Sequence, residues 1–323
     1  MIEIRELTKY YGDAKAVGPL SFSIEKGQVV GLLGLNGAGK TTTLRMLASD
    51  LLPTSGTMTV DNVDLVQEPE RLRPKIGYLP DRPPLYEEMG VREYLRFAAK
   101  LRGVASSRLD KFVAEAIEQT DLGDRSSEII GTLSHGFRQR VGIAQAIVHK
   151  PNLLLLDEPI SGLDPVQIVE MRELVRSLRG EHTTVLSSHI LSEISETCDQ
   201  LIVIRDGEIV AAGSESELTE RGSAGTQAVV VLIAGGAEAD PSTRLADATS
   251  VLEGIDGVRG GAAIDHPDLD EGTISLKVTA DVEVRHAVCR ALVAADIDVY
   301  GIERPRVLED VFIELTSKGE VSS

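Results

Sequence analysis

The stretch VVGLLGLNGAGKTT, residues 29–42, constrains the fold of this chain more than any other part of it. Gly34 to Thr41 fits G-x-x-x-x-G-K-[ST] at every position, after an apolar strand-like run and before a helical one. Glycines in such a loop let main-chain N–H groups close on phosphate oxygens with no Cβ in the way, and the helix that follows adds its positive end. Asn36, Gly37, Ala38, Gly39 and Thr42 complete the cradle around Gly34. Lys40 is placed to reach the β- and γ-phosphates of a nucleotide, and the Thr41 hydroxyl to bind Mg²⁺. A plain glycine turn is the alternative; lysine, threonine and context together weigh against it.

Around that loop, short apolar runs alternate with helical patterns up to about residue 220. SFSIEKGQVVGLLGL reads as two strands about a Lys26-Gly27 turn, and TTTLRMLASDLL as a helix with Leu44, Leu47, Ala48 and Leu51 on one face. PNLLLLDEP and TTVLSSH read as buried parallel strands. LIVIRDGEIVAAG is a hairpin whose Asp206-Gly207 turn signals type I′. The pattern predicts an α/β core with a parallel sheet. Between about 85 and 132 only helices are indicated, as a helical insertion would require. Small and polar residues at 220–227 mark a linker. Beyond it, strand- and helix-like segments and a final LEDVFIELT helix suggest a small α+β unit of ferredoxin-like type. The domain expectation is 1–220 for the core, with its helical part at about 85–150, 221–227 for the linker and 228–323 for the accessory unit.

Composition excludes several functions. The chain has 323 residues, a net charge of −18 and only 3% aromatics with no Trp. Phosphate-backbone contacts need basic surface and base stacking needs aromatic platforms, so no nucleic-acid partner is expected. No apolar run approaches the roughly 18 residues of a membrane span, and the first residues lack a secretion pattern. Cys198 and Cys289 are far apart and read as reduced thiols.

Two further stretches carry chemistry. In LLLLDEP, Asp157 ends a buried strand where a carboxylate can hold a metal, and Glu158 is placed to polarise a water. LSHGFRQR, residues 133–140, sets Ser134, Gly136 and two arginines at a helix start, which suits an anion; a simple Ser N-cap is the alternative.

The order GLNGAGKTT, LSHGFRQR, LLLLDEP, SGLD, LSSH resembles that of ATP-binding subunits of ABC transporters, over residues 2 to about 218. The resemblance implies a P-loop NTPase fold, ATP and Mg²⁺ as ligands, and ATP hydrolysis. It implies a head-to-tail homodimer in which Ser134 and Gly136 meet the partner's γ-phosphate. Tyr11 matches the aromatic that stacks on adenine, with Tyr10 as the fallback. Asp164 matches the loop that speaks across the dimer, with an N-cap before Pro165 as the alternative. His189 matches the switch histidine near the γ-phosphate.

One departure is clear. Where the family usually places glutamine, after YLP, this chain has Asp81. Aspartate keeps a metal-binding oxygen but loses the amide donor. An acidic residue here, with the PLYEEM continuation, resembles type-2 exporter subunits of gliding-motility, copper-site-assembly and multidrug kinds. That resemblance implies a separate multispanning permease whose coupling helix docks near residues 83–91, and a place on the cytoplasmic face of the membrane. The C-terminal unit resembles the tail of type-2 exporter ATPases. Two other functions are weighed: a soluble ABC ATPase acting on ribosomes or nucleic acid, and a non-hydrolysing regulatory protein. Lys40, Asp157 and Glu158 argue against the second.

Overall fold

The computed structural model describes residues 2–222, 227–234, 241–264, 273–280 and 284–303. They form two compact units, one up to Glu215 and one from Ser216.

The first unit interleaves two sheets. In chain order it comprises β1 (Ile2–Tyr11), β2 (Ala14–Ile24), β3 (Val29–Leu33), α1 (Lys40–Leu47), β4 (Ser55–Val60), β5 (Val63–Asp64), α2 (Pro69–Leu72) and β6 (Ile76–Leu79). Then follow α3 (Val91–Leu101), α4 (Leu109–Gln119), α5 (His135–Ile147), β7 (Leu153–Leu156), α6 (Pro165–Ser177), β8 (Thr183–Ser188), α7 (Leu191–Ile194), β9 (Gln200–Arg205) and β10 (Glu208–Gly213). α8 (Glu215–Gly222) starts where this unit ends. The strand orders are β2-β1-β4-β5 and β10-β9-β3-β8-β7-β6. In the second sheet β9, β3, β8, β7 and β6 run parallel, and β10 returns antiparallel beside β9.

One core joins these layers. Leu44 and Leu47 of α1 cluster with Ile4, Leu20 and Met58 of the antiparallel sheet and with Val30, Leu32, Leu155 and Val185 of the parallel one. α1 is therefore filling between two sheets. The four leucines of β7 are all buried, as a central parallel strand requires. The expected helical stretch holds α3 and α4 followed by α5. In α3, Val91, Tyr94, Leu95, Ala98 and Ala99 are buried, the spacing of one helical face.

Some expectations need correction. α1 ends at Leu47, and Ser49 takes a left-handed φ of 58°, so Leu51 lies beyond the helix. The two strands about Lys26-Gly27 enter different sheets. α8 runs to Gly222, two residues into the stretch read as a linker, and β11 (Gln227–Ala234) takes up its last residue.

The second unit continues with α9 (Pro241–Glu253), β12 (Val258–Ile264), β13 (Thr273–Ala280), α10 (Arg285–Ala294) and β14 (Val299–Glu303). All neighbouring strands in the order β12-β13-β11-β14 are antiparallel. This β-α-β-β-α-β sequence is the ferredoxin-like arrangement, including a strand, β12, that the sequence reading omitted. Its core gathers Val229, Val231, Ile233, Leu276, Val288 and Leu292. The LEDVFIELT helix and the stretch with His266 and Asp268 lie outside the described residues.

Candidate functional site

The glycine-rich loop leaves β3 and enters α1 through Gly39, whose φ of 104° only glycine adopts readily. A Cβ there would also sit 2.8 Å from the Val17 side chain of β2. α1 begins with no side-chain cap, so its first N–H groups point into the loop without intrahelical acceptors. Such a helix end is suited to bind an anion.

An open cleft of about 580 Å³ lies over this loop. Asn36, Gly37, Gly39, Lys40, Thr41, Thr42, Asp81, Glu158 and His189 all line it. The structure thus brings four separate sequence stretches together at the C-terminal ends of parallel strands, where α/β folds bind ligands.

Two hydrogen-bonded chains start from this loop. In the first, the buried Lys40 ammonium donates to Gly34 O at 2.8 Å and pairs with Glu158 Oε1 at 3.2 Å. The other Glu158 oxygen lies 3.0 Å from His189 Nδ1. A carboxylate only accepts, so Nδ1 carries the proton in this pair. Glu158 itself has a φ of 48°, a left-handed conformation that costs a non-glycine residue about 1 kcal/mol or more. In the second chain, Thr41 Oγ1 donates to Asp157 Oδ1 at 3.2 Å, and Ser187 Oγ donates to the same oxygen at 2.7 Å.

Asp157 has no exposed surface, and its Oδ2 is buried with no hydrogen-bond partner. Burial pushes its carboxyl above the usual range; the Ser187 and Thr41 hydrogen bonds offset this in part, and the nearby Glu158 and Asp81 charges add to the rise. A buried anion with one bare oxygen beside a threonine hydroxyl is the donor set a hard divalent cation takes. These residues fit Mg²⁺.

Other expected residues lie elsewhere. Tyr11 is exposed at the end of β1, with the Lys9 ammonium 5.4 Å from its ring centre, and does not line the cleft. Ser134 is the N-cap residue of α5, but its side chain makes no capping bond; Gly136, in the first turn, is buried. Neither lines the cleft. Asp164 does cap α6, accepting the Gln167 N–H at 3.0 Å. A Cβ on Gly136 would meet the Gln167 side chain at 2.6 Å, so the starts of α5 and α6 are packed together. His135 reaches Ser161 O at 3.2 Å, and Ser161 lines the cleft.

Sequence reasoning missed Lys15, Ala16, Ser161 and Asp206, which also line the cleft. The signal for Asp206 was present in the turn motif but pointed only to a hairpin. Ser187 was missed as well, although a serine at the end of a buried apolar strand invites the question of what it bonds.

Comparisons with known proteins give the family and the fold. A family model described as ABC transporter matches residues 17–161. An uncharacterized ABC transporter ATP-binding protein of Bacillus subtilis (strain 168), YxlF, is 40% identical over 221 residues, covering 68% of this chain and 73% of that protein. The daunorubicin resistance ATP-binding protein DrrA3 of Streptomyces coeruleorubidus is 33% identical over 311 residues, covering 95% of this chain and 93% of that one. That second likeness takes in the ferredoxin-like unit too. A solved ATP-binding subunit of an ABC transporter superposes with a TM-score of 0.61 at 28% identity, over 68% of this chain and 92% of its own.

Proposed function

Since the chain belongs to the ATP-binding subunits of ABC transporters, we propose a specific division of labour among the residues of its cleft. The protein binds ATP and hydrolyses it to power a separate membrane permease of an export system. The soluble ATPase acting on ribosomes or nucleic acid, left open by the sequence, is set aside: the relatives are transport and resistance subunits. No helix among the described residues is long and apolar enough to cross a membrane.

The observation that carries the assignment is the Lys40–Glu158–His189 chain lying across the phosphate loop. The loop N–H groups, with Asn36, Gly37, Ala38, Gly39 and Thr42, hold the phosphates, and Lys40 meets the β- and γ-phosphates. Thr41, the free oxygen of Asp157 and Asp81 would hold Mg²⁺, which would supply positive charge to the phosphate oxygens. Glu158 orients the attacking water and accepts its proton. His189 keeps the Glu158 carboxylate in place through Nδ1–H and presents its other ring nitrogen, Nε2, toward the γ-phosphate. Tyr11 stacks on the adenine. Most of the acceleration comes from positioning and fixed charge.

Ser134 and Gly136 serve the nucleotide of a second copy. Support comes from the α5 N-terminus: it is exposed at Ser134, uncapped by that side chain and absent from the chain's own cleft. Asp164 reports across the same junction from the start of α6. The permease is a multispanning protein whose helix docks near residues 83–91, and the subunit works on the cytoplasmic face of the membrane. The domain division at 220 and 228 belongs to this reading.

Two experiments test it. Glu158→Gln is expected to accumulate an ATP-bound dimer on size exclusion, and adding Ser134→Arg to dissolve it; a dimer indifferent to Ser134→Arg removes the cross-subunit role. Mild solubilisation and pull-down of the tagged chain from its own cell should bring down a stoichiometric multispanning protein. Ribosomal partners alone would reverse the functional assignment.

A further inference from the structure

Ser187 lies in the middle of the parallel sheet with no exposed surface. β7 and β8 pair Leu156 with Leu186, so the next position sets Ser187 beside Asp157. On its other side β3 presents Leu32. A hydroxyl in such surroundings is unfavourable unless its hydrogen-bonding capacity is used. Here it is used twice: the O–H donates to Asp157 Oδ1 at 2.7 Å, and Oγ accepts the Glu158 N–H at 2.9 Å. One atom touches two consecutive residues with different tasks.

We propose that Ser187 is a positioning residue for both halves of the reaction: it selects which oxygen of Asp157 faces the cation, and it holds the Glu158 backbone in the conformation that presents its carboxylate to Lys40 and His189. This rests on the cation and base roles assigned above. Ser187 and Thr41 both engage Oδ1, which leaves Oδ2 bare. Without Ser187, Thr41 alone would set the carboxylate's rotation, at a longer 3.2 Å. Glu158 sits at φ 48°, and a left-handed residue persists only where its neighbours over-determine it. Its N–H bond to Ser187 is one such constraint, and the Ser161 N–H on its carbonyl, at 3.2 Å, is the other. Neighbouring Ser188 cannot substitute. Side chains alternate across a sheet, and Ser188 points away to the buried Glu193, at 2.5 Å.

The test titrates Mn²⁺ into the ADP-bound chain by electron paramagnetic resonance, with ATP turnover and metal-free ADP binding measured alongside. Ser187→Ala is expected to lower Mn²⁺ affinity and kcat each by roughly 10–100-fold, the range for residues that orient metal ligands. ADP affinity in EDTA should hold. Ser187→Thr keeps the hydroxyl and should recover most of both losses. Wild-type Mn²⁺ affinity and kcat in Ser187→Ala would overturn the proposal. So would an equal loss of metal-free ADP binding, which marks general disruption. Asp157→Asn separates the levels: if it binds Mn²⁺ like the wild type, the cation assignment fails and the proposal with it. If it loses Mn²⁺ while Ser187→Ala does not, Ser187 alone is refuted.

Discussion

The two compact units bury different things. Almost every buried polar side chain among the described residues belongs to the first unit, including Lys40, Thr43, Gln139, Arg140, Asp157, Ser187 and Glu193; the second contributes Ser275. The ferredoxin-like core is an ordinary apolar one, whereas the sheet of the first unit carries charge and hydroxyls at its strand ends. Burying such groups is costly unless each finds a partner. The bare Asp157 oxygen shows where a ligand is expected to complete the network.

Substitutions should separate the units accordingly. The largest effect is expected at Glu158→Gln, which should cut ATP turnover by roughly 10²–10⁴-fold, the worth of a positioned general base. A coupled-enzyme assay checks it, and turnover within a few-fold of wild type would contradict the base assignment. Leu276→Ala, in the apolar core of the second unit, should cost about 2–5 kcal/mol of folding stability. ATP turnover of the folded fraction should stay at the wild-type level; a large loss of turnover would erase the contrast between the units.

Acid should act mainly on the first unit. Burial, aided by the Arg102 charge, pushes His149 down to about 4, and its Nδ1 is buried without a partner. A histidine lowered this way favours folding above its unfolded value, and the gain is lost as pH falls from about 6.5 toward 4. Between pH 7 and pH 5 the loss should approach about 2 kcal/mol. Urea midpoints at the two pH values measure it, and His149→Gln should flatten the slope.

The smallest effect concerns Asp157. A raised carboxyl opposes folding once pH exceeds its folded-state value, so Asp157→Asn should raise the metal-free melting temperature at pH 7. With MgATP the order should invert, because only the wild type gains cation-dependent stabilisation. Thermal scans with and without MgATP distinguish the two.

What the sequence disclosed follows the range of each interaction. The Asp206-Gly207 turn was legible because two adjacent residues determine it, and both adopt positive φ, 51° and 79°. Leucine runs and the phosphate loop are equally local. β12 was not legible: VRGGAAI has two glycines and short side chains, and it becomes a strand only through pairing with β13. β4 escaped notice for a similar reason, since its pairing with β1 spans some fifty residues. Within the cleft, residue types announced Lys40, Thr41, Asp157 and Glu158, but not that Lys40 and Glu158 bond each other. The role of Ser187 depends on strand register, which no single stretch encodes.

The turn at Gly207 does more than reverse the chain. Its N–H binds Ala38 O in the phosphate loop at 3.0 Å, and its carbonyl accepts the Gly18 N–H of β2 at 2.6 Å. Three distant segments are stitched by main-chain atoms alone. Such a seam requires glycine at 18 and 207, where a Cβ would meet backbone atoms at 2.4 and 2.7 Å, and draws nothing from the other side chains around it. Drift of the exposed sequence would leave the loop's mounting intact, and a pull on the antiparallel sheet would be transmitted to the phosphate loop as through a rivet.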